Sequence, residues 1–225
     1  MNIYELNFWN IFGNSLADNS MDNRIIPMWS NGNYNLSPFY TTGFETILFN
    51  KDQSFVLEAV LASTVAWDNE ILIAGNSNSL DKLGKIVSKQ NLTYHCLNWS
   101  PESGDDFEND FNNYSGVSHL LIGIDSLTSM ENIPVKKILQ IASKNKYSLI
   151  VYCDISVTGL NDIFNGAIDY MIGGLSAEPP KSFVVARRSR LVQTEGKSRS
   201  FNMDLYSYWQ WSMKDRTSII EPMRF

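Results

Sequence analysis

Cysteine, histidine and long apolar runs are all scarce in this chain, and each scarcity closes off a class of chemistry. Only two cysteines occur, Cys96 and Cys153. They lack the paired spacing of a metal site and are too few for the disulfide framework of a small secreted domain, so both read as buried, reduced thiols. The only two histidines, His95 and His119, fall at the centre of one strand-like run and at the start of another. Satisfied core or edge imidazoles account for both. No G-x-S-x-G, P-loop, H-E-x-x-H or G-x-G-x-x-G pattern is present, which disfavours those enzyme classes. No stretch approaches the roughly 18 uninterrupted apolar residues of a membrane span, so no membrane association is expected. Met1-Asn2-Ile3-Tyr4-Glu5 lacks the basic-then-apolar order of a secretory leader, and a cytoplasmic location is the expectation. Basic side chains are also short: 18 Lys and Arg against 24 Asp and Glu, a net charge of −6. That balance argues against a nucleic-acid partner, because phosphate binding needs clustered cations. The one basic cluster, Arg187, Arg188 and Arg190 with Lys197 and Arg199 nearby, reads as a solvated loop.

What remains is a soluble globular composition. The 225 residues are 44% hydrophobic, ample for a buried core. Residues 1–40 are rich in Asn, Ser, Trp, Phe and Tyr without periodicity and read as an irregular arm, with one short helix near Tyr4–Phe12. Residues 41–225 are regular. Apolar residues at helical spacing after Ser54 predict a capped, buried helix to Val65. Glu70–Gly75 reads as a strand, Leu80–Lys89 as a helix and Leu92–Leu97 as a strand. An acidic loop, Pro101–Glu108, precedes a buried strand at His119–Ile124. Ile133–Asn145 is amphipathic. Ser148–Asp154, Ile168–Ile172 and Ser182–Ala186 complete the strands, and Met203–Met213 is an aromatic-laden final helix suited to packing or an interface. Strands alternating with helices predict an α/β protein with a mostly parallel sheet covered on both faces.

Two segments carry a family resemblance. Asp169-Tyr170-Met171-Ile172-Gly173-Gly174-Leu175-Ser176-Ala177-Glu178, followed by Phe183–Arg188, reads as two short strands joined by a small-residue loop. Lys146-Tyr147-Ser148-Leu149-Ile150-Val151-Tyr152-Cys153-Asp154, continuing to Gly159, is the more specific stretch. Both resemble the class V (fold-type I) pyridoxal-phosphate (PLP) aminotransferases, nearest to the 2-aminoethylphosphonate–pyruvate branch, and the similarity runs from about Thr46 onward. The resemblance implies a three-layer α/β large domain with a mostly parallel central sheet. It places Asp154 at the partner of the cofactor's pyridinium nitrogen, and Ser54, Thr128 and Ser156 at inherited cofactor-site positions.

Four departures from the family pattern accompany it. Ala177 stands where the family's Schiff-base lysine aligns, and that chemistry cannot proceed without the amine. The glycine-rich phosphate cup is replaced by Lys51-Asp52-Gln53-Ser54, with Asp52 bringing a negative charge. The ring-stacking aromatic is missing from Gly75-Asn76-Ser77-Asn78-Ser79. After Glu221-Pro222-Met223-Arg224-Phe225 the family would continue into a small C-terminal domain, and the expectation here is a chain without it. The resemblance thus implies a degenerate, non-catalytic relative that takes no cofactor. Such a protein would act as a scaffold, regulator or partner-binding subunit, through a homodimer or through pairing with an aminotransferase-like paralogue. Three other readings stay open. One is a PLP-dependent transaminase acting on a phosphonate or an amino acid and using Lys181 in place of the lost lysine. Another is a small-molecule binder whose cleft is lined by Asp125, Thr128, Asp154, Ser156 and Thr158 at the C-terminal edge of the sheet. The last is a shortened gene product.

Overall fold

The computed structural model describes residues 43–98, 114, 116–125, 135–153, 167–175 and 181–218. The N-terminal arm and the acidic loop lie outside them. The elements follow in the order β1 (Phe44–Phe49), α1 (Gln53–Thr64), β2 (Glu70–Gly75), α2 (Ser77–Lys89), β3 (Thr93–Asn98), β4 (Val117–Ile124), α3 (Val135–Asn145), β5 (Ser148–Cys153), β6 (Tyr170–Leu175), β7 (Lys181–Arg187), α4 (Arg188–Val192), a 3-10 turn (Phe201–Met203) and α5 (Leu205–Ser218). None of the described helices is long and apolar enough to cross a membrane.

The seven strands form one sheet in the order β1-β7-β6-β5-β4-β2-β3. Strands β6, β5, β4, β2 and β3 pair in parallel. β7 runs against β6 and against β1, so the sheet is mixed at one edge and parallel over most of its width. β4 and β5 are buried over nearly their whole length, which is why they read as continuous apolar runs rather than alternating ones.

Alternate residues feed two cores. Leu72, Leu120, Ile122, Val151, Met171, Phe183 and Val185 face α3 through Ile138 and Ile141. Ile71, Ile73, Leu121, Ile150, Ile172 and Val184 face α1, α2 and α5. α1 is apolar almost all round because it is covered twice, by the sheet and by α5. Val56, Leu57, Val60 and Leu61 are wholly buried, each contributing roughly 1.5–3 kcal/mol relative to exposure. On the outer side, Tyr208 of α5 sits 4.9 Å from Phe49 and 6.3 Å from Phe55 between ring centroids. Ser63 of α1 ties this cover down, donating to the Met203 carbonyl at 3.1 Å and accepting from the Leu205 N–H at 3.0 Å.

Three sequence readings need correction. Cys96 is exposed on the edge strand β3, whereas Cys153 is buried as expected. Strand β1 carries no pattern strong enough to single it out, yet it forms the far edge beside β7. The basic cluster is not a solvated loop. Arg187 and Arg190 both donate to Asp169 Oδ1, at 3.3 and 3.2 Å, and Arg188 Nε donates to Glu45 Oε1 at 2.7 Å. The Asp169 and Glu45 side chains are only 8% and 5% exposed, and a buried carboxylate is costly without paired cations. Asp169 Oδ2 also accepts from Ser148 Oγ and the Leu149 N–H, fastening the starts of β5 and β6 to the end of β7.

Both histidines are satisfied. His95 Nε2 lies 2.7 Å from Glu70 Oε2, and its ring stacks near Tyr114. His119 is buried with Nδ1 2.6 Å from Ser118 Oγ. Burial pulls its pKa down from 6.5 to about 4; Asp169 opposes that pull and Arg190 adds to it.

Candidate functional site

Strand order places the candidate site before any side chain is considered. β3 lies on one side of β2 and β4 on the other, so the connections from β2 and β4 leave in opposite directions at their C-terminal ends. Open α/β sheets leave a crevice at such a switch point. In this chain the crevice is closed from within. Asn76 caps α2, accepting from the Ser79 N–H at 2.9 Å. Its amide donates to both oxygens of Asp125 at 3.0 Å, and Asn78 donates to Oδ2 at the same distance. Asp125 directly follows β4 and is buried. Two glycines let α2 come this close. A Cβ on Gly123 would lie 2.7 Å from Leu83 Cδ1 and Ser79 Cβ, and one on Gly75 would lie 3.0 Å from Ser79 Cβ. The space left among Asn78, Ser79, Lys82, Leu83, Asp125 and Tyr152 is about 10 Å³, room for one water at most. Lys82 closes it by placing Nζ 5.1 Å from the Tyr152 ring centroid. A larger, shallow groove of about 550 Å³ lies elsewhere, between α2 and β3, with Leu80, Gly84, Lys85, Tyr94 and Cys96 in its walls.

The second part of this edge is the N-terminus of α1. A helix starts with donors that have no partner inside the helix, and these donors attract anions. Here Asp52 is the cap: its Oδ1 accepts from the Phe55 N–H at 2.9 Å, with extended backbone at Asp52 itself. The sequence reading opened this helix at Ser54, but Ser54 is already inside it. Gln53, the first helical residue, reaches across to the end of β5 and donates Nε2–H to the Cys153 carbonyl at 2.7 Å. Its side chain lies against Gly174 of β6, where a Cβ would come within 2.8 Å of Nε2. Ser182 of β7 donates to the Lys51 carbonyl at 2.7 Å, fixing the turn before the helix.

Of the residues expected at a cofactor site, the structure brings Ser54 and Lys181 to this edge. Thr128, Asp154, Ser156 and the aligned Ala177 lie outside the described residues. Lys181 opens β7 opposite Leu175 and is half-buried. Strand alternation puts it on the face of Phe183 and Val185, towards α3. The adjacent Ser182 bonds the turn that leads into α1, on the opposite face of the sheet. Among the described residues no group of three or more His, Cys, Asp or Glu is placed to hold a metal. Gln53, Asn76 and Asn78 are the polar residues that sequence reasoning missed. Asn76 has a local signal, as an Asn just after a strand and three residues before a Ser. Gln53 has none, because its partner lies 100 residues away.

No family model matches the chain. It is 26% identical over 179 residues to a 2-aminoethylphosphonate–pyruvate transaminase of Bacteroides fragilis, covering 76% of this chain and 49% of that one. A phosphoserine aminotransferase from Cytophaga hutchinsonii superposes with a TM-score of 0.62 at 11% identity, over 79% of this chain and 50% of that one. A serine palmitoyltransferase from S. paucimobilis with bound PLP–myriocin aldimine gives 0.52 at 19% identity, over 81% and 51%. The chain thus spans about half the length of the proteins it matches. The sheet order, the flanking helices and the sequence similarity agree: the chain is α/β in fold, is similar to class V aminotransferases, and matches about half of an aminotransferase chain.

Proposed function

We propose that this chain is a non-catalytic aminotransferase-like domain, serving as a scaffold, regulatory or partner-binding subunit. The observation that carries the proposal is the Asp52 cap. In the resembled family this helix opens on a glycine-rich turn that holds the cofactor's phosphate. Here a carboxylate already accepts from the Phe55 N–H at 2.9 Å. A second anion at such close range is repelled unless strongly screened. The residues present therefore do not fit the phosphate end of PLP. Ala177 at the aligned lysine position supports the same reading, as does the placement of Lys181 on the α3 face.

Association is the function this reading leaves, as a homodimer or with an aminotransferase-like paralogue. Trp67, Phe201 and Trp211 are 66%, 98% and 72% exposed and offer apolar contact area. The deciding experiment is a titration of the pure protein with PLP, followed by absorbance and by borohydride reduction, with Lys181→Ala alongside. The proposal expects no saturable absorbance band and no lysine adduct. A band present in the wild type and lost in Lys181→Ala would replace it with a PLP-dependent transaminase built on Lys181.

A further inference from the structure

We infer that Gln53 and Asp52 together are an internal substitute for an anion at α1, and that this pair excludes phosphate independently of whether a lysine is present. The inference deepens the non-catalytic reading and rests on it, but its chemistry is separate: Ala177 concerns covalent attachment, whereas the pair concerns binding. The two side chains divide the task. Asp52 supplies the negative charge, taking the third amide of the helix through Oδ1. Gln53 supplies the bulk, its amide spanning from the helix start to the Cys153 carbonyl at the end of β5.

Gly174 shows that this placement of Gln53 is built in. It is the point of β6 where a side chain would run into Gln53, with contacts of 2.8, 2.9 and 3.2 Å to Nε2, Cδ and Cγ. The glycine leaves a trough in the sheet surface, and the glutamine lies in it. The turn before the helix is held from the other side by Ser182 on the Lys51 carbonyl. Helix start, β5, β6 and β7 are therefore closed on one another by the chain's own polar groups, and a free phosphate would have to displace both side chains. A charge pair in water at about 4 Å changes affinity by a factor of roughly five, and the loss of Gln53's hydrogen bond adds to that.

The test measures inorganic phosphate binding, by calorimetry and by 31P line broadening, to the wild type and to Asp52→Ser/Gln53→Gly. The expected result is at least tenfold tighter binding to the double variant, with wild-type binding weak or absent. Equal binding by the two proteins, or no saturable binding to a folded double variant, overturns the inference. Should the double variant fail to show a cooperative thermal transition, Asp52→Asn and Gln53→Ser carry the test singly. Asp52→Asn keeps the capping oxygen and removes the charge. If neither single variant gains affinity, the inference fails. A lysine adduct in the PLP titration would sink the non-catalytic reading while leaving this comparison intact, since inorganic phosphate forms no adduct with lysine.

Discussion

Lowering the pH from 7 to 4 should unload stability through His119, and the size of the loss follows from where that ring sits. The imidazole lies near the start of β4, on its third residue, and is buried. The groups acting on it are Ser118 Oγ at Nδ1 and the charges of Asp169 and Arg190. Burial dominates and brings its pKa to about 4, against 6.5 in the unfolded chain. Between those two values the unfolded chain binds a proton that the folded one refuses, so stability rises with pH across the window and falls on acidification. The contribution is fully present above about pH 6.5, is lost progressively as pH falls to 4, and changes no further below that. At about 1.4 kcal/mol per pH unit the whole loss is roughly 3 kcal/mol, a large share of the 5–15 kcal/mol typical of a domain. The assay is urea unfolding of the wild type and His119→Gln at pH 7, 5.5 and 4. His119→Gln should be the less stable at pH 7, where it loses the fit to Ser118, and the gap should shrink or reverse by pH 4. A stability difference that stays constant over those three pH values would refute the reasoning, because other titrating groups are common to both proteins.

Two further perturbations separate packing from pairing. Asp169→Asn removes the charge that Arg187 and Arg190 share and weakens the junction of β5, β6 and β7. The arginines are 33% and 40% exposed, so water softens the loss, and about 2 kcal/mol is expected from denaturant unfolding. Gly123→Ala drives a methyl into Leu83 and Ser79 at 2.7 Å and should cost about 1–3 kcal/mol. Gly174→Ala meets Gln53 along its flexible side chain, at 2.8, 2.9 and 3.2 Å from Nε2, Cδ and Cγ; that side chain can turn aside at the cost of its bond to Cys153, so the thermal shift should be smaller than that of Gly123→Ala.

The fold was legible wherever burial imposes a local pattern. Ser148–Cys153 is apolar throughout because it is central and covered on both faces, and the sequence reading placed it almost to the residue. α2 starts three residues earlier than its apolar periodicity suggests, since Ser77, Asn78 and Ser79 are weak helix formers held by the Asn76 cap. β1 was not legible because its order comes from β7, far along the chain. The roles of Arg187, Arg188 and Arg190 were misjudged for a related reason. Their charges are obvious in sequence, but their carboxylate partners lie 18 to 143 positions away. At the candidate site, Asp52 and the absent glycines could be seen directly. The reach of Gln53 to Cys153 required the sheet to be assembled first.

The pairing of β1 with β7 also sets a schedule for synthesis. Phe49 must wait for Ser182, about 130 residues later, before its ladder can close. At roughly 5–20 residues per second, that interval is on the order of 10 seconds. For most of it α1, emerging directly after β1 with apolar side chains on nearly every side, lacks β6 and β7 beneath it and α5 above. The nascent chain thus presents its stickiest helix early and the surfaces that bury it last.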